Sequence, residues 1–466
     1  MSTRARVAVV GGGISGLTAA YRLRRALGPD ARIDLFEAGG RIGGVLHTAI
    51  VGGQAVDVGA EAFIVRRPEA LELVTELGLA DRVVSPTPRR PAIWAGGRLH
   101  PLPSPALMGI PATPAVMDGL ADPADLARME AEPTRPLTWS GDADPSVGEF
   151  VADRFGPSVV ARGVDPMLGG VYSSLAGDIG LREALPALAA RLDRGAPSLS
   201  TAVNDLIAAG AAATGPVFGT LVGGYAVLLD ALREAASVEP GLHRYVSGLA
   251  PEPHGWTVET GEGARSYDGV VLALPAWQSG HLLRRSLPAL AAPLQAVPRA
   301  SSVVVSIALA PRTRLPEHSG VLVATGESLR AKAFTFSSQK WSHLSAADRP
   351  VSVRASFGRF GAPVPDDCVE PGVDDRLRTE ALDDLDEVCR AAGIAPVSSK
   401  VVDTYVQRWT NGLPLYAPGH LAAMSRVLAA RPARLAFAGS AYAGVGVPAC
   451  IGQAGRAVSA LLAELA

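Results

Sequence analysis

The sequence predicts an α/β fold in which one domain is assembled from separated pieces of the chain. Three observations predict it. The chain opens on a strand, a glycine turn, a helix and a second strand ending on an acid. The same pairing of apolar run and Gly-rich turn returns near residues 217–275 and again at the C-terminal end. Between these pieces lie a stretch with helical spacing and a stretch with strand alternation, two different periods in two different places.

The elements follow in order. Arg6-Val7-Ala8-Val9-Val10 is a short β-branched run, followed at once by Gly11-Gly12-Gly13-Ile14-Ser15-Gly16 and a helical pattern to Leu27. Ile33 to Phe36 forms the next strand and ends at Glu37. This is the G-x-G-x-x-G fingerprint in its strand–turn–helix–strand–acid setting. Gly11 permits the tight turn, Gly13 lets backbone approach a pyrophosphate, and Gly16 lets the helix pack on the strand. The helix N-terminus offers N–H groups to phosphates, and Glu37 is placed to accept hydrogen bonds from a ribose. A dinucleotide is therefore expected.

A helix follows from Pro68 to Leu79, with Leu71, Val74 and Leu77 at helical spacing. Ala92-Ile93-Trp94 and Arg98-Leu99-His100 flank Gly96-Gly97 as a hairpin. Helical patterns run over 120–130, 147–155, 159–168 and 184–192. Phe218 to Gly224 leads into a helix from Tyr225 to Ala235, then a strand at Tyr245-Val246 and a hairpin strand at Trp256 to Glu259. Asp268 to Pro275 is a buried strand. Strands at 302–307, 321–323, 352–357 and 401–409, with a helix from Arg376 to Ala391, make a sheet-rich region. Strand 434–438 and helix 451–465 close the chain.

Composition excludes several classes. The net charge of −2 over 466 residues gives no nucleic-acid or anionic-membrane signature. Three separated cysteines, Cys368, Cys389 and Cys450, form neither a disulfide framework nor a C-x-x-C site. The histidines are scattered, so no metal is expected. The N-terminal apolar run ends in glycines, unlike a signal peptide. The uncharged stretches Leu206 to Leu229 and Leu435 to Gly455 are broken by Gly and Pro, and read as Gly-rich loops near a ligand rather than as membrane spans. A cytoplasmic protein without a transmembrane segment is expected.

Beyond Glu37 the chain continues Ala38-Gly39-Gly40-Arg41-Ile42-Gly43-Gly44, and then Val56-Asp57-Val58-Gly59-Ala60-Glu61. This resembles the E-A-x-x-R-x-G-G extension and D-x-G segment of the flavin amine oxidase and protoporphyrinogen oxidase superfamily, which implies non-covalent FAD. Gly444-Val445-Gly446-Val447-Pro448, together with Gln407-Arg408-Trp409 and Leu413 to His420, resembles the oxygen-dependent protoporphyrinogen/coproporphyrinogen oxidases of haem synthesis, in particular the soluble Gram-positive type. One departure stands out. Where that family often has G-P-[DE]-S-F, this chain has Gly59-Ala60-Glu61-Ala62-Phe63, which removes a hydroxyl.

The resemblance implies a Rossmann-like FAD-binding domain built from residues 1–80, 216–285 and 426–466. It implies a mixed-sheet substrate domain from 81–103 and 286–425, and a helical lobe over 104–215. It implies that Gly11, Gly12, Gly13, Ile14, Ser15 and Gly16 hold the pyrophosphate, and Glu37 with Ala38 the ribose end. Arg41, Gly44, Gly59, Ala60, Glu61 and Ala62 would line the ribityl and flavin region. Val246 would meet the adenine, Trp409 would lie beside the isoalloxazine, and Gly444 to Val447 (through Val445 and Gly446) would present N–H groups to its pyrimidine end.

The implied reaction is six-electron oxidation of a porphyrinogen by O2 with release of H2O2, most favourably coproporphyrinogen III, and no catalytic side chain is assigned. Arg66 and Arg67 are the leading cations for substrate carboxylates, with Lys332 and Lys340 weaker candidates. Hand-over to ferrochelatase is a further expectation. The alternatives are protoporphyrinogen IX as substrate, a flavin amine oxidase or desaturase, and a non-catalytic flavoprotein. An amine oxidase favours an aromatic cage, whereas aromatics are 5% of this chain.

Overall fold

The computed structural model describes residues 5–210, 215–364 and 370–465. Cys368 lies outside these, and Cys389 and Cys450 are free and buried.

Four parallel strands form the first sheet, in the order Arg32–Phe36, Arg6–Val10, Gly269–Leu272 and Leu435–Phe437. Segments far apart in sequence thus become neighbours in one sheet. The strands Arg6–Val10, Gly269–Leu272 and Leu435–Phe437 are near-continuous apolar runs, as expected of strands covered on both faces. One face packs on helices Ile14–Leu27, Tyr225–Ala236 and Val447–Leu465 through Leu17, Leu228, Leu232, Ile451 and Leu461. The other is covered by a three-stranded antiparallel sheet from 246 to 267 and by helices Ala276–Leu283 and His420–Ala429.

The inserted sheet has seven strands, in the order Val401–Pro414, Arg299–Leu309, Val351–Phe357, Ala333–Thr335, Gly320–Val323, Ala92–Ala95 and Arg98–Pro101. Its pairings are antiparallel except one parallel pair, Gly320–Val323 with Ala92–Ala95. Helix Val373–Ala391 covers one face through Leu377, Ala381, Leu385 and Val388. Helices between Pro123 and Gly210 form a lobe with its own core around Val151, Phe155, Leu168 and Leu188. The α/β class with a mixed inserted sheet and a helical lobe agrees with the sequence.

Two local expectations are corrected. The helix expected over 159–168 is three successive pieces, Pro157–Val159, a π turn Val160–Val164, and Asp165–Tyr172. Pro166 has no N–H to continue an α-helical ladder, and the Asp165 N–H reaches back to the Val160 carbonyl instead. The uncharged stretches are mostly regular structure rather than loops. Helix Leu199–Gly210 runs into the first, which then holds strand Phe218–Leu221 and the start of helix Tyr225–Ala236; the second holds strand Leu435–Phe437 and helices Ser440–Ala443 and Val447–Leu465. Glycines with positive φ, Gly223, Gly224, Gly439 and Gly444, are confined to the junctions, and the Ala- and Leu-rich runs between them form helix readily. No helix among the described residues is long and apolar enough to cross a membrane.

Candidate functional site

The glycine turn after the first strand is sterically forced. Gly11 has φ +108°, and a Cβ there would strike the Ala273 carbonyl. A Cβ on Gly16 would overlap the Gly11 carbonyl oxygen, so the helix enters as close to the strand as backbone allows. Gly13 faces Gly44, whose Cα lies 3.8 Å from the position of a Gly13 Cβ. The two glycine loops are also joined by the Gly43 N–H, which donates to the Gly12 carbonyl at 2.8 Å.

Glu37 does more than the sequence revealed. Its Oε2 accepts the Gly12 N–H at 2.8 Å and its Oε1 accepts the Gly39 N–H at 2.7 Å. The carboxylate therefore pins both glycine loops as well as standing at the end of the second strand. The Glu37 N–H donates to the Gly241 carbonyl, which brings the 241–246 segment, with buried Val246, against the same strand end.

Arg41, Gly59 and Trp409 meet. Arg41 donates to the Ile42, Gly44 and Leu46 carbonyls, bracing its own loop, and its guanidinium lies 5.7 Å from the Trp409 ring centroid. The Trp409 indole N–H donates to the Val58 carbonyl at 3.0 Å. A Cβ on Gly59 would collide with the Val45 carbonyl and stand 3.0 Å from the Trp409 ring. Only glycine fits between them.

Glu61 is the charge centre of the neighbouring segment. Its carboxylate accepts from Lys340 at 2.8 Å and from the Ser337 hydroxyl, and Arg354 stands 3.7 Å away. Arg354 also donates to the Gly59 carbonyl at 2.5 Å. Burial alone would raise the Glu61 pKa, but the Lys340 and Arg354 cations and the Ser337 hydroxyl overcome it and hold the group down to about 2. Lys340, a weak candidate for substrate carboxylates, is spent on Glu61. Nothing local in the sequence linked Ser337, Lys340 or Arg354 to this segment.

The C-terminal motif is held by residues the sequence noted without assigning a task. The Tyr416 hydroxyl donates to the Ser440 carbonyl at 2.6 Å and accepts the Gly444 N–H at 2.7 Å. His420 stacks on Tyr416 at 4.3 Å between centroids and hydrogen-bonds the Ala441 carbonyl at 2.6 Å. Helix Val447–Leu465 starts directly after Gly446, so its first N–H groups lie in the motif. Cys450 is buried one turn in, and burial pushes its thiol up to about 11.

Arg66 and Arg67 diverge. Arg66 is exposed and reaches the Gly215 carbonyl at 3.3 Å. Arg67 pairs with Glu69 at 2.9 Å, and its guanidinium lies 3.7 Å from where a Gly444 Cβ would be. No cluster of potential metal ligands exists among the described residues.

A profile of the flavin containing amine oxidoreductases matches residues 14–462. The chain belongs to that family. Within it, the chain is 48% identical to a coproporphyrinogen III oxidase of Mycobacterium leprae over 459 residues, covering 98% of each chain. It is 47% identical to a coproporphyrinogen III oxidase of Mycobacterium tuberculosis over 458 residues, covering 98% of this chain and 97% of the other. The crystal structure of a protein from Exiguobacterium sp. 255-15, named as a protoporphyrinogen oxidase, superposes with TM-score 0.85 at 28% identity and covers 100% of both chains. The expected superfamily, its porphyrinogen oxidase branch, the flavin and the oxidoreductase class all stand. The glycine cradle suits the group: two facing glycine loops, a helix N-terminus and an acid after the second strand are what a flavin dinucleotide requires.

Proposed function

We propose that this protein oxidises coproporphyrinogen III to coproporphyrin III, using FAD and O2 and releasing H2O2. The observation that carries the reading is 48% identity to a coproporphyrinogen III oxidase along nearly the whole of both chains. The convergence of the two glycine loops, Trp409 and the 444–447 turn supports it.

In this reading Gly11 to Gly16 hold the pyrophosphate, and Glu37 takes the ribose while bracing both loops. Val246 meets the adenine. Arg41, Gly44 and Gly59 to Ala62 line the ribityl and flavin region, and Trp409 flanks the ring. Bound FAD would supply two-electron oxidation and deliver the electrons to O2; a porphyrinogen loses six on becoming a porphyrin, so three rounds are needed. The backbone N–H groups of Val445 to Val447 would offset negative charge at the pyrimidine end of the ring. Arg67, beside Gly444, is the better placed of the two arginines to receive a substrate carboxylate, and Arg66 is the outer one. Pyrrole protons leave to water or neighbouring groups, with no dedicated base among the side chains described. A cytoplasmic location and hand-over of product to ferrochelatase complete the reading.

The alternative substrate, protoporphyrinogen IX, is favoured by the name of the Exiguobacterium structure. Aerobic turnover of FAD-loaded protein on both porphyrinogens, followed by porphyrin fluorescence and H2O2, decides. A strong preference for coproporphyrinogen III is expected. Preference for protoporphyrinogen IX would move the substrate within the family. No porphyrin from either, with the bound flavin reduced by an amine, would overturn the reading.

A further inference from the structure

Lys332 is a partly buried cation with no carboxylate paired to it among the described residues. Its backbone is fixed on both sides: its N–H donates to the Ser356 carbonyl at 2.8 Å, and its carbonyl accepts the Val323 N–H at 3.0 Å. Its ammonium bridges the sheet and the helical lobe, donating to the Ser173 hydroxyl at 2.8 Å and to the Gly358 carbonyl at 2.6 Å. An ammonium has three protons to give, and the third has no partner among the described residues.

The charged surroundings make the amine stranger. Arg359 adds a second positive charge beside it, and no carboxylate lies within ion-pair distance of either cation among the described residues. Asp165, from the lobe, is the acid facing Arg359, and both of its oxygens are engaged, one by the Ala176 N–H and the other by Thr325, each at 2.8 Å. Asp178 accepts from Ser174 at 3.1 Å. Arg330, two residues before Lys332, is paired with Asp384 at 2.8 Å. Burial, with Arg359 adding to it, pushes the Lys332 amine down to about 7. A neutral side chain could bridge Ser173 and Gly358 without the desolvation penalty that a cation carries. The charge therefore brings a cost that an incoming anion would offset.

The place is suitable. Ser173 ends helix Asp165–Tyr172 in a left-handed conformation at φ +50°, and the adjacent Tyr172 ring lies 6.0 Å from Tyr416. Tyr416 in turn holds Gly444. A short chain of contacts thus joins the amine to the C-terminal flavin motif.

We propose that Lys332, assisted by Arg359, binds a carboxylate of the substrate at the seam between the seven-stranded sheet and the helical lobe. The proposal rests on the porphyrinogen oxidase reading. It makes Lys332 a substrate-binding residue, separate from Arg66 beside Gly215 and Arg67 beside Gly444.

The test uses the full FAD-loaded chain with Lys332→Met, Lys332→Gln and Lys332→Arg, each checked for flavin content. The readouts are KM and kcat for coproporphyrinogen III between about pH 6 and 9, and binding of coproporphyrin III and its tetramethyl ester by fluorescence. The expected result for Met and Gln is a KM raised about tenfold with kcat within about twofold, and weaker binding of the free acid but not of the ester. In the wild type KM rises above about pH 7 as the amine loses its proton. In Lys332→Arg the affinity is kept and that rise disappears, because a guanidinium stays charged. A KM unchanged in Met and Gln, or an equal loss of acid and ester binding, overturns the proposal while leaving the oxidase reading intact. If Met fails to retain flavin, Gln, which keeps a hydrogen-bond donor, decides. Wild-type protein that neither oxidises nor binds a porphyrin overturns both.

Discussion

Replacing Glu61 by Gln tests the charge cluster beside the proposed flavin segment. Glu61 falls from 4.5 to about 2 in the folded chain. That displacement corresponds to about 3 kcal/mol of stability. The sign follows from the direction. The unfolded chain binds the proton first as pH falls, so the contribution is fully present above about pH 4.5 and is lost as pH falls through about 2. At neutral pH the variant also leaves Lys340 and Arg354 without their anion. Both keep another partner: Lys340 stands 4.9 Å from the Trp341 ring centroid and Arg354 bonds the Gly59 carbonyl. The loss therefore belongs at the low end of the roughly 3–5 kcal/mol seen when one member of a buried pair is removed. Glu61→Gln is expected to melt roughly 3 °C below wild type at pH 7, with the gap closing as the pH falls below about 4. The assay is thermal melting of FAD-loaded protein across that range, with the flavin absorbance as a local probe through Arg354 and Gly59. A double-mutant cycle with Lys340→Met isolates the pair. Equal melting temperatures at pH 7, or additive effects in the cycle, would refute the reasoning.

Three further outcomes are expected. Tyr416→Phe leaves the Ser440 carbonyl and the Gly444 N–H unpartnered, costing about 2–4 kcal/mol; urea unfolding and flavin dissociation should both show it, and an unchanged flavin affinity would mean that Tyr416 does not organise the motif. Glu183 is raised to about 7 by burial and by neighbouring Asp144. Its folded form holds the proton longer than the unfolded chain, so it lowers stability progressively as pH rises from about 4.5 through about 7. Glu183→Gln should therefore melt higher than wild type at pH 8, by up to about 3 kcal/mol in stability, and match it below about pH 4.5; a gap independent of pH would contradict this. Gly16→Ala places a methyl on the Gly11 carbonyl and should yield protein that retains no flavin, which absorbance of the purified chain reads directly.

The cofactor half of the site was legible because its chemistry is local. The turn, the cap and the acid of the first βαβ unit lie within 27 residues, from Gly11 to Glu37, and Gly11 and Gly16 each have a steric reason that follows from their positions. The part of the site that reaches the inserted sheet was not legible in the same way. Glu61 finds Ser337, Lys340 and Arg354 at separations of 276 to 295 residues, counting Arg354 by its bond to Gly59. No spacing rule reaches that far; only the register of the inserted sheet places Thr335 opposite Arg354 and so aims them together. Arg66 and Arg67 looked equivalent as neighbours in sequence, yet one points to Gly215 and the other to Glu69. Lys332 was one of two weaker cation candidates in the sequence, and its missing counter-charge among the described residues is a property of the folded seam.

This division has a basis in the sheet geometry. In a parallel sheet every strand presents its C-terminal end at the same edge, and ligands bind there. Here Gly11 and Glu37 follow the strands Arg6–Val10 and Arg32–Phe36, and the Gly439 turn follows Leu435–Phe437. A Cβ on Gly439 would lie 3.4 Å from the Leu274 carbonyl, just past the strand Gly269–Leu272. Chain ends more than 400 residues apart are thus brought side by side by backbone geometry alone. A substitution at this edge meets backbone atoms and is costly. At the seam between sheet and lobe, backbone bonds such as the Thr325 N–H on the Ala161 carbonyl are joined by side-chain contacts, such as the Lys332 ammonium on Ser173. In the proposed reading, a cation at that seam with no carboxylate within ion-pair distance among the described residues is the charge expected for an anionic substrate.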